Sequence, residues 1–248
     1  METNYTEFSD PRIVALYDTL NPFGEDSEFF CEQAKNLEAK TIIDLGCGTG
    51  LLTVELAKLG HHMIGIEPSE AMLAVARMKP YADTIKWVQW SFEKMNGLKA
   101  DMVIMTSHVA QFFLDDTYWQ AMIETTHQAL NNNGHLIFDI RRLTHPPFPT
   151  FPTEDNRRKL EDTLVGAVEW WCKHVSVENR RVQYELHYFF PRSGEEIVSL
   201  NELVFRSQEE ITETLSKTGF EIETIYGDWD GSPVNSNSPE MIFVAKPI

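Results

Sequence analysis

The chain of 248 residues has few cysteines and no long apolar run. Its three cysteines, Cys31, Cys47 and Cys172, are far apart and form no CxxC pair, so we expect no zinc site, no disulfide framework and no bound metal. No apolar run approaches the ~18 residues that a membrane-spanning helix needs. The first four residues show no secretory signal, and the sequence therefore predicts a cytoplasmic protein.

Positive charge is also scarce. Lys and Arg total 21 against 38 Asp and Glu, which gives a formal net charge of −17. A surface of this sign repels phosphate backbones and anionic membranes, so we expect neither nucleic acid nor a membrane as a partner. The hydrophobic fraction of 42% is enough for a packed core. The composition leaves the oligomeric state open.

Short apolar runs alternate with helical spacing in the first half of the chain. The predicted strands are residues 41–45, 63–66, 85–88, 102–105 and 136–140. Between the first two, Leu52, Leu56 and Leu59 repeat at helical spacing. This alternation is typical of βαβ units and a parallel sheet, whose ligands bind beyond the carboxyl ends of the strands.

A different pattern follows residue 142. Prolines concentrate in residues 145–152 and interrupt regular structure. Apolar and polar residues then alternate with period two, which predicts a three-stranded antiparallel meander over residues 170–177, 182–190 and 197–205. Beyond it, Ser207 and Glu210 form a capping box for a helix. Two closing strands are predicted after that helix, at 220–226 and 241–246.

These segments predict an α/β fold with a mostly parallel seven-stranded sheet, helices on both faces and an antiparallel insertion after the fifth strand. We expect four parts along the chain. Residues 1–40 form an N-terminal helical lid, with helices at 12–20 and 27–37, and residues 41–142 form a nucleoside-binding core. Residues 143–206 form an insertion that caps the substrate, and residues 207–248 form a C-terminal helix with the closing strands.

A glycine-rich loop follows the first predicted strand. Residues 44–50 are Asp-Leu-Gly-Cys-Gly-Thr-Gly, and glycines in such a loop let a ligand approach the backbone closely. Glu67 stands nineteen residues after Gly48, at the end of the second strand, where a carboxylate accepts hydrogen bonds from ribose hydroxyls. The loop and Glu67 together predict a nucleoside site.

The spacing of the glycines discriminates between nucleoside cofactors. Dinucleotide sites use G-x-G-x-x-G, but Leu51 and Thr53 stand where the third glycine would be. The loop also lacks the phosphate-binding lysine of a P-loop. The spacing argues against a nicotinamide-dependent oxidoreductase, which remains an alternative together with a non-catalytic nucleoside-binding module.

Residues 44–50, followed by Glu67-Pro68-Ser69 and Met72, resemble the class I S-adenosylmethionine-dependent methyltransferases. The resemblance extends through Ile140 and is specific in the glycine loop. It implies a Rossmann-like fold. It also implies transfer of a methyl group from S-adenosylmethionine to a small-molecule acceptor on O, N or C, with S-adenosylhomocysteine as the second product.

The resemblance also implies which residues contact the cofactor. The loop glycines would line its amino-acid moiety, Asp44 would reach its ammonium, Glu67 would hold both ribose hydroxyls, and Pro68 and Met72 would flank the adenine. The full implied set is Asp44, Gly46, Cys47, Gly48, Thr49, Gly50, Glu67, Pro68, Met72, Ser91, Phe92, His108 and Tyr17.

The segment after the third strand departs from the family pattern, and the contact of Tyr17 comes from outside the nucleoside-binding core. Many relatives carry Gly-Asp-Ala after the third strand, whereas this chain has Trp90-Ser91-Phe92. There Ser91 would accept a hydrogen bond from the adenine, Phe92 would stack on it, and Glu93 is a substitute for the missing Asp. Tyr17, in the N-terminal segment, would close over the cofactor.

His108 follows the fourth strand and would lie beside the transferred methyl group. It is the candidate catalytic residue, either as a general base or as part of the pocket lining. A base with an ordinary imidazole pKa would give a rate that rises through about pH 6.5. The aromatic residues of the meander would either roof the acceptor pocket or pack against the main sheet. They include Trp170, Trp171, Tyr184, Tyr188, Phe189 and Phe190.

Overall fold

The computed structural model describes residues 5–89, 92–143, 148 and 150–248. Its helices are α1 (Thr6–Ser9), α2 (Pro11–Val14), α3 (Tyr17–Leu20), α4 (Glu25–Asn36), α5 (Leu51–Lys58), α6 (Glu70–Ala76), α7 (Asp116–Ala129) and α8 (Gln208–Lys217). Its strands are β1 (Thr41–Leu45), β2 (His62–Glu67), β3 (Lys86–Gln89), β4 (Ala100–Met105), β5 (Leu130–Arg141), β6 (Arg158–Leu160), β7 (Val168–Glu178), β8 (Arg181–Phe190), β9 (Glu195–Val204), β10 (Phe220–Tyr226) and β11 (Glu240–Pro247).

The main sheet has seven strands in the order β10-β11-β5-β4-β1-β2-β3. Its pairs from β3 through β5 are parallel, and β11 runs antiparallel to both β5 and β10. The prediction of a mostly parallel seven-stranded sheet is confirmed. The strand order reverses beside β1, because β2 lies on one side of it and β4 on the other. Such a switch point opens a crevice at the carboxyl ends of the strands.

Helices cover both faces of this sheet, as predicted. Successive residues of a strand point to opposite faces, so Ile43 joins one buried cluster and Ile42 joins the other. The first cluster packs against α7 and α8, and the second packs against α4 and α5. Both faces are therefore apolar, which explains why these strands are continuous hydrophobic runs.

Local signals fix several of the helix ends. The Asp115 side chain accepts a hydrogen bond of 2.8 Å from the Tyr118 N–H and caps α7. The predicted capping box of Ser207 and Glu210 starts α8. These side chains bond N–H groups that the first helical turn leaves unpaired.

The antiparallel insertion is a sheet of four strands in the order β6-β7-β8-β9, and not of three. The missed strand, β6, has only three residues, which is too short for a period of two to be recognised. Along β8, alternate side chains are buried, and the buried set is Val182, Tyr184, Leu186, Tyr188 and Phe190. These side chains pack against Ile13 and Leu16 of the N-terminal segment.

The N-terminal segment differs from the prediction in one respect. The helix expected over residues 12–20 is divided into α2 and α3, each of four residues, with a turn at Ala15 and Leu16. Leu16 and Ile13 are buried in the cluster beneath the four-stranded sheet, so packing rather than helical continuity sets this path. Among the described residues, no helix is long and apolar enough to cross a membrane.

Candidate functional site

A cavity of about 920 Å³ lies at the carboxyl ends of β1, β2 and β4. Its opposite wall is formed by the N-terminal helices and by the buried face of β8. This volume is within the range of small-molecule and cofactor sites. Ten of the residues singled out in the sequence line it, namely Tyr17, Asp44, Gly46, Cys47, Gly48, Thr49, Glu67, Pro68, Met72 and His108.

Two other described residues of the implied cofactor set, Gly50 and Phe92, are not brought to this cavity. Gly50 packs against Trp87, whose Cη2 would be 2.6 Å from a Cβ at position 50. Phe92 is buried in the main core, with its ring centroid 4.8 Å from that of Tyr118. Neither residue lines the cavity, so the expected stacking of Phe92 on a ligand has no structural support. Ser91 lies outside the described residues.

The loop after β1 is shaped by glycines with positive φ angles. Gly48 has φ +54°, and a Cβ there would meet only Tyr17 Cε1, at 4.0 Å. Gly46 has φ +82°, and a Cβ there would clash with Val109 Cγ2 at 2.6 Å. The Gly46 requirement is therefore internal packing, whereas Gly48 leaves the backbone open to the cavity.

Glu67 connects the end of β2 to this loop. Its Oε2 accepts a hydrogen bond of 3.1 Å from the Gly48 N–H, and its Oε1 accepts one of 2.9 Å from the Ser69 N–H. Burial raises the pKa of Glu67 to about 7, against the effect of these two bonds. The carboxylate is thus held at the cavity wall and lacks a cationic partner in the described chain.

Asp44 lies deeper in the same wall. Its Oδ2 accepts a hydrogen bond of 2.6 Å from Thr53 Oγ1, while its buried Oδ1 has no hydrogen-bond partner among the described residues. Burial raises the pKa of Asp44 to about 6. A buried carboxylate oxygen without a partner is costly and favours a ligand that donates hydrogen bonds or carries positive charge. Burial also raises the pKa of the Cys47 thiol, so Cys47 is not a reactive thiolate.

The N-terminal helices contact this wall directly. Thr49 Oγ1 donates a hydrogen bond to Asp18, which also pairs with Lys79. Ser69 Oγ donates to the Phe8 carbonyl, above the end of β2. These bonds hold Tyr17 beside Gly48, and burial raises the pKa of the Tyr17 phenol.

His108 follows β4 in a tight turn, where it and Ser107 have φ angles of +64° and +53°. These are unusual for residues other than glycine. The His108 N–H donates to Asp139 Oδ2 over 2.9 Å, and its Nε2 lies 3.1 Å from Glu240 Oε2. Burial lowers the pKa of His108 to about 4. A rate that rises through about pH 6.5 requires an ordinary imidazole pKa, so this structure does not favour such a profile for His108.

Sequence reasoning missed six acidic residues of this cavity, namely Glu7, Asp18, Glu25, Asp26, Asp139 and Glu240. Asp139 and Glu240 lie on neighbouring strands beside His108, and Glu7 lies in α1. Burial raises the pKa of Glu7 and Glu240 to about 8, and that of Asp139 to about 6. The sequence contains one signal for this group, which is Asp139 inside the apolar run of β5. A carboxylate in a buried strand is costly unless it has a partner, so its presence there indicates a contact.

Comparison with known proteins agrees with this geometry. Residues 42–134 match the model of the methyltransferase domain family. A ubiquinone biosynthesis O-methyltransferase of Nitrosococcus oceani is 40% identical over 205 residues, which cover 72% of this chain and 86% of that protein. A protein of Geobacillus sp. (strain WCH70) named as a methyltransferase is 28% identical over 214 residues, covering 84% and 85%.

Solved structures show the same fold. An S-adenosylmethionine-dependent methyltransferase from Clostridium acetobutylicum has a TM-score of 0.78 at 18% identity, covering 95% of this chain and 98% of that one. CalS10 of Micromonospora echinaspora, an amino pentose methyltransferase, has a TM-score of 0.68 at 17% identity, covering 94% and 97%. With the glycine loop and the seven-stranded sheet, these matches establish that the chain belongs to the class I S-adenosylmethionine-dependent methyltransferases.

Proposed function

We propose that this cavity binds S-adenosylmethionine along the carboxyl ends of β1 and β2, and a small-molecule methyl acceptor beneath the four-stranded sheet. The cofactor supplies a methyl group bound to a sulfonium sulfur. The rest of the cofactor, which departs as S-adenosylhomocysteine, is an activated leaving group. The protein then has to hold the two molecules in line and exclude water, and such positioning is worth roughly 7–11 kcal/mol.

The bond from the Gly48 N–H to Glu67 Oε2 carries this proposal. It ties the open glycine of the loop to the carboxylate at the end of β2, where ribose hydroxyls bind in related sheets. The absence of a side chain at Gly48 leaves room for a ligand against the backbone. The two features support a nucleoside with its ribose on Glu67 and its tail along the loop.

Asp44 supports a cationic tail on that nucleoside. Its Oδ1 is buried and lacks a hydrogen-bond partner among the described residues, and an ammonium group would satisfy it. Pro68 and Met72 lie beyond Glu67 in the cavity wall, on the adenine side of such a ligand. A nicotinamide dinucleotide would instead bring a pyrophosphate to this loop, against the buried charge of Asp44.

The opposite part of the cavity is proposed to hold the acceptor. His108 faces it from the main sheet, and Tyr184 and Tyr188 face it from β8. The Tyr184 and Tyr188 rings thus both pack in the cluster with Ile13 and Leu16 and line the cavity. We infer the same four parts along the chain as the sequence predicts. They are a lid over residues 1–40, a cofactor-binding core over 41–142, a substrate cap over 143–206 and the closing strands over 207–248. The net charge of −17 supports a small molecule rather than a nucleic acid.

Titration calorimetry tests the proposal. The protein should bind S-adenosylmethionine and S-adenosylhomocysteine, and it should show no heat with NAD at the same concentration. A crystal structure with S-adenosylhomocysteine should place the ribose on Glu67 and the sulfur on the His108 side. Binding of NAD without a response to the methyl donor would refute it.

A further inference from the structure

Three ionisable side chains from three separate segments meet at the acceptor side of the cavity. They are His108 after β4, Asp139 in β5 and Glu240 at the start of β11. One donor atom of each lies within 4.8 Å of the others. They come together because β4, β5 and β11 are neighbours in the main sheet.

The spacing of these donor atoms fits a single ion. His108 Nε2 lies 3.1 Å from Glu240 Oε2 and 3.4 Å from Asp139 Oδ2. Adjacent ligands of an octahedral ion with bonds of ~2.1–2.4 Å are separated by about 3.0–3.4 Å. The imidazole nitrogen therefore has the spacing of a neighbouring corner to each carboxylate oxygen, and the two carboxylate oxygens lie within 4.8 Å of each other, which one ion can span. The remaining corners would be available to ligands from the cavity.

Hydrogen bonding inside the cluster does not satisfy it. Asp139 is fully buried, and its Oδ2 already accepts the His108 N–H. Its Oδ1 is without a hydrogen-bond partner among the described residues. Arg141 is the cation paired with Glu240, at 3.9 Å, and it also lies over the Phe148 ring. The two buried carboxyl groups thus have one distant guanidinium as their cationic partner, and an additional cation would stabilise their ionised forms.

We propose that His108, Asp139 and Glu240 form a binding site for a divalent metal ion of the Mn²⁺ type. One imidazole and two carboxylates are a donor set suited to such an ion. The Nε2 atom of His108 faces both carboxylates, and an imidazole nitrogen is a common metal ligand. The expectation of no metal rested on the cysteine pattern, which carries no information about this set.

The ion would give the cavity a binding point for an oxygen atom of the acceptor. It would also lower the pKa of a bound hydroxyl. His108 then acts as a ligand and not as the general base. This inference goes beyond the proposed function, since an ion can bind here whether or not S-adenosylmethionine does.

Electron paramagnetic resonance of Mn²⁺ alone tests the site, with neither cofactor nor acceptor present. Titration of the full chain should remove free Mn²⁺ signal with one ion per chain. Asp139→Asn, Glu240→Gln and His108→Asn should each weaken that affinity by at least about 10- to 100-fold. Asparagine tolerates the left-handed backbone of position 108, and the amide oxygen in Asp139→Asn can still accept the His108 N–H.

Asp26→Asn is the matched control, because Asp26 lines the same cavity and is not part of the cluster. It removes one negative charge that acts on the cluster without removing a ligand, so its loss of Mn²⁺ affinity should be smaller than that of any of the three ligand variants. Circular dichroism and S-adenosylhomocysteine binding on each variant report whether it is folded. If one variant is unfolded and does not bind S-adenosylhomocysteine, the other two variants test the site.

Two results would overturn the metal site. One is that the folded protein binds no Mn²⁺ up to 1 mM, a concentration on the order of the Kd of the weakest protein sites for hard cations. In that case the cluster would bind an ammonium group of the acceptor instead of a metal ion. The other is stoichiometric binding that survives all three substitutions, which would locate the ion elsewhere. Neither result changes the cofactor titration, so failure here is distinct from failure of the proposed function.

Discussion

Thr53 Oγ1 donates a hydrogen bond of 2.6 Å to Asp44 Oδ2 and so holds the carboxylate of β1 in one orientation. The bond comes from the first turns of α5, across the glycine loop. It leaves Asp44 Oδ1 buried and without a partner among the described residues. The strand, the loop and the helix together therefore prepare one acceptor atom for a ligand.

Asp44→Asn should weaken binding of S-adenosylmethionine and S-adenosylhomocysteine alike. Asparagine keeps a hydrogen-bond acceptor for Thr53 but loses the charge that would pair with an ammonium. A hydrogen bond to a charged group contributes about 1.5–3 kcal/mol, so we expect at least a tenfold higher Kd. Calorimetry measures it. Adenosine, which has no ammonium, is the control ligand, and an equal loss of adenosine binding would contradict the assignment.

Two glycines of the loop should respond differently to alanine. Gly50→Ala places a Cβ 2.6 Å from Trp87 Cη2 and should lower the free energy of unfolding by about 1–3 kcal/mol for overpacking, besides about 1–2 kcal/mol for the left-handed backbone. Gly48→Ala carries only the backbone cost, because its Cβ meets nothing closer than 4.0 Å.

Gly48→Ala should instead reduce cofactor affinity, because its methyl group points into the open part of the loop. Urea denaturation measures the first effect and calorimetry the second. The pair thus separates a packing glycine from a binding glycine. Equal losses of stability in the two variants, with unchanged cofactor affinity in Gly48→Ala, would contradict this distinction.

Much of the site could be predicted because its residues lie close together in sequence. Gly48 and Glu67 belong to consecutive βα units, and the motif specifies both. The contacts of His108 with Asp139 and Glu240 span 31 and 132 residues, and no spacing rule links such positions. The sequence does not decide between a cavity wall and the core for Phe92, because an aromatic ring suits both equally well.

Glu7 should make the unliganded protein less stable as the pH rises. Its pKa is about 8 in the folded state and 4.5 ordinarily, owing to burial. Between these values the folded state binds more protons than the unfolded state, so the free energy of unfolding falls with pH, by at most ~1.4 kcal/mol per pH unit for one proton.

Glu7→Gln should flatten that slope between pH 5 and pH 8, a window set by the folded pKa of about 8. Urea denaturation at four pH values measures it. The exposed Glu32→Gln on α4 removes an equal charge and should leave the slope unchanged. An unaltered slope in Glu7→Gln would mean that its carboxyl is not buried in solution.

Glu67→Gln should weaken the binding of every ligand that contains the ribose, including adenosine. Asp44→Asn, in contrast, should leave adenosine binding unchanged. Its carboxylate accepts the Gly48 and Ser69 N–H groups, and an amide would turn a donor toward one of them. We expect at least a tenfold higher Kd for S-adenosylhomocysteine, since a charged hydrogen bond is worth about 1.5–3 kcal/mol. Glu70→Gln, at an exposed ion pair with Arg77 on the adjoining helix, is the control. Calorimetry with adenosine decides the matter, because an unchanged adenosine Kd in Glu67→Gln would mean that the ribose binds elsewhere in the cavity.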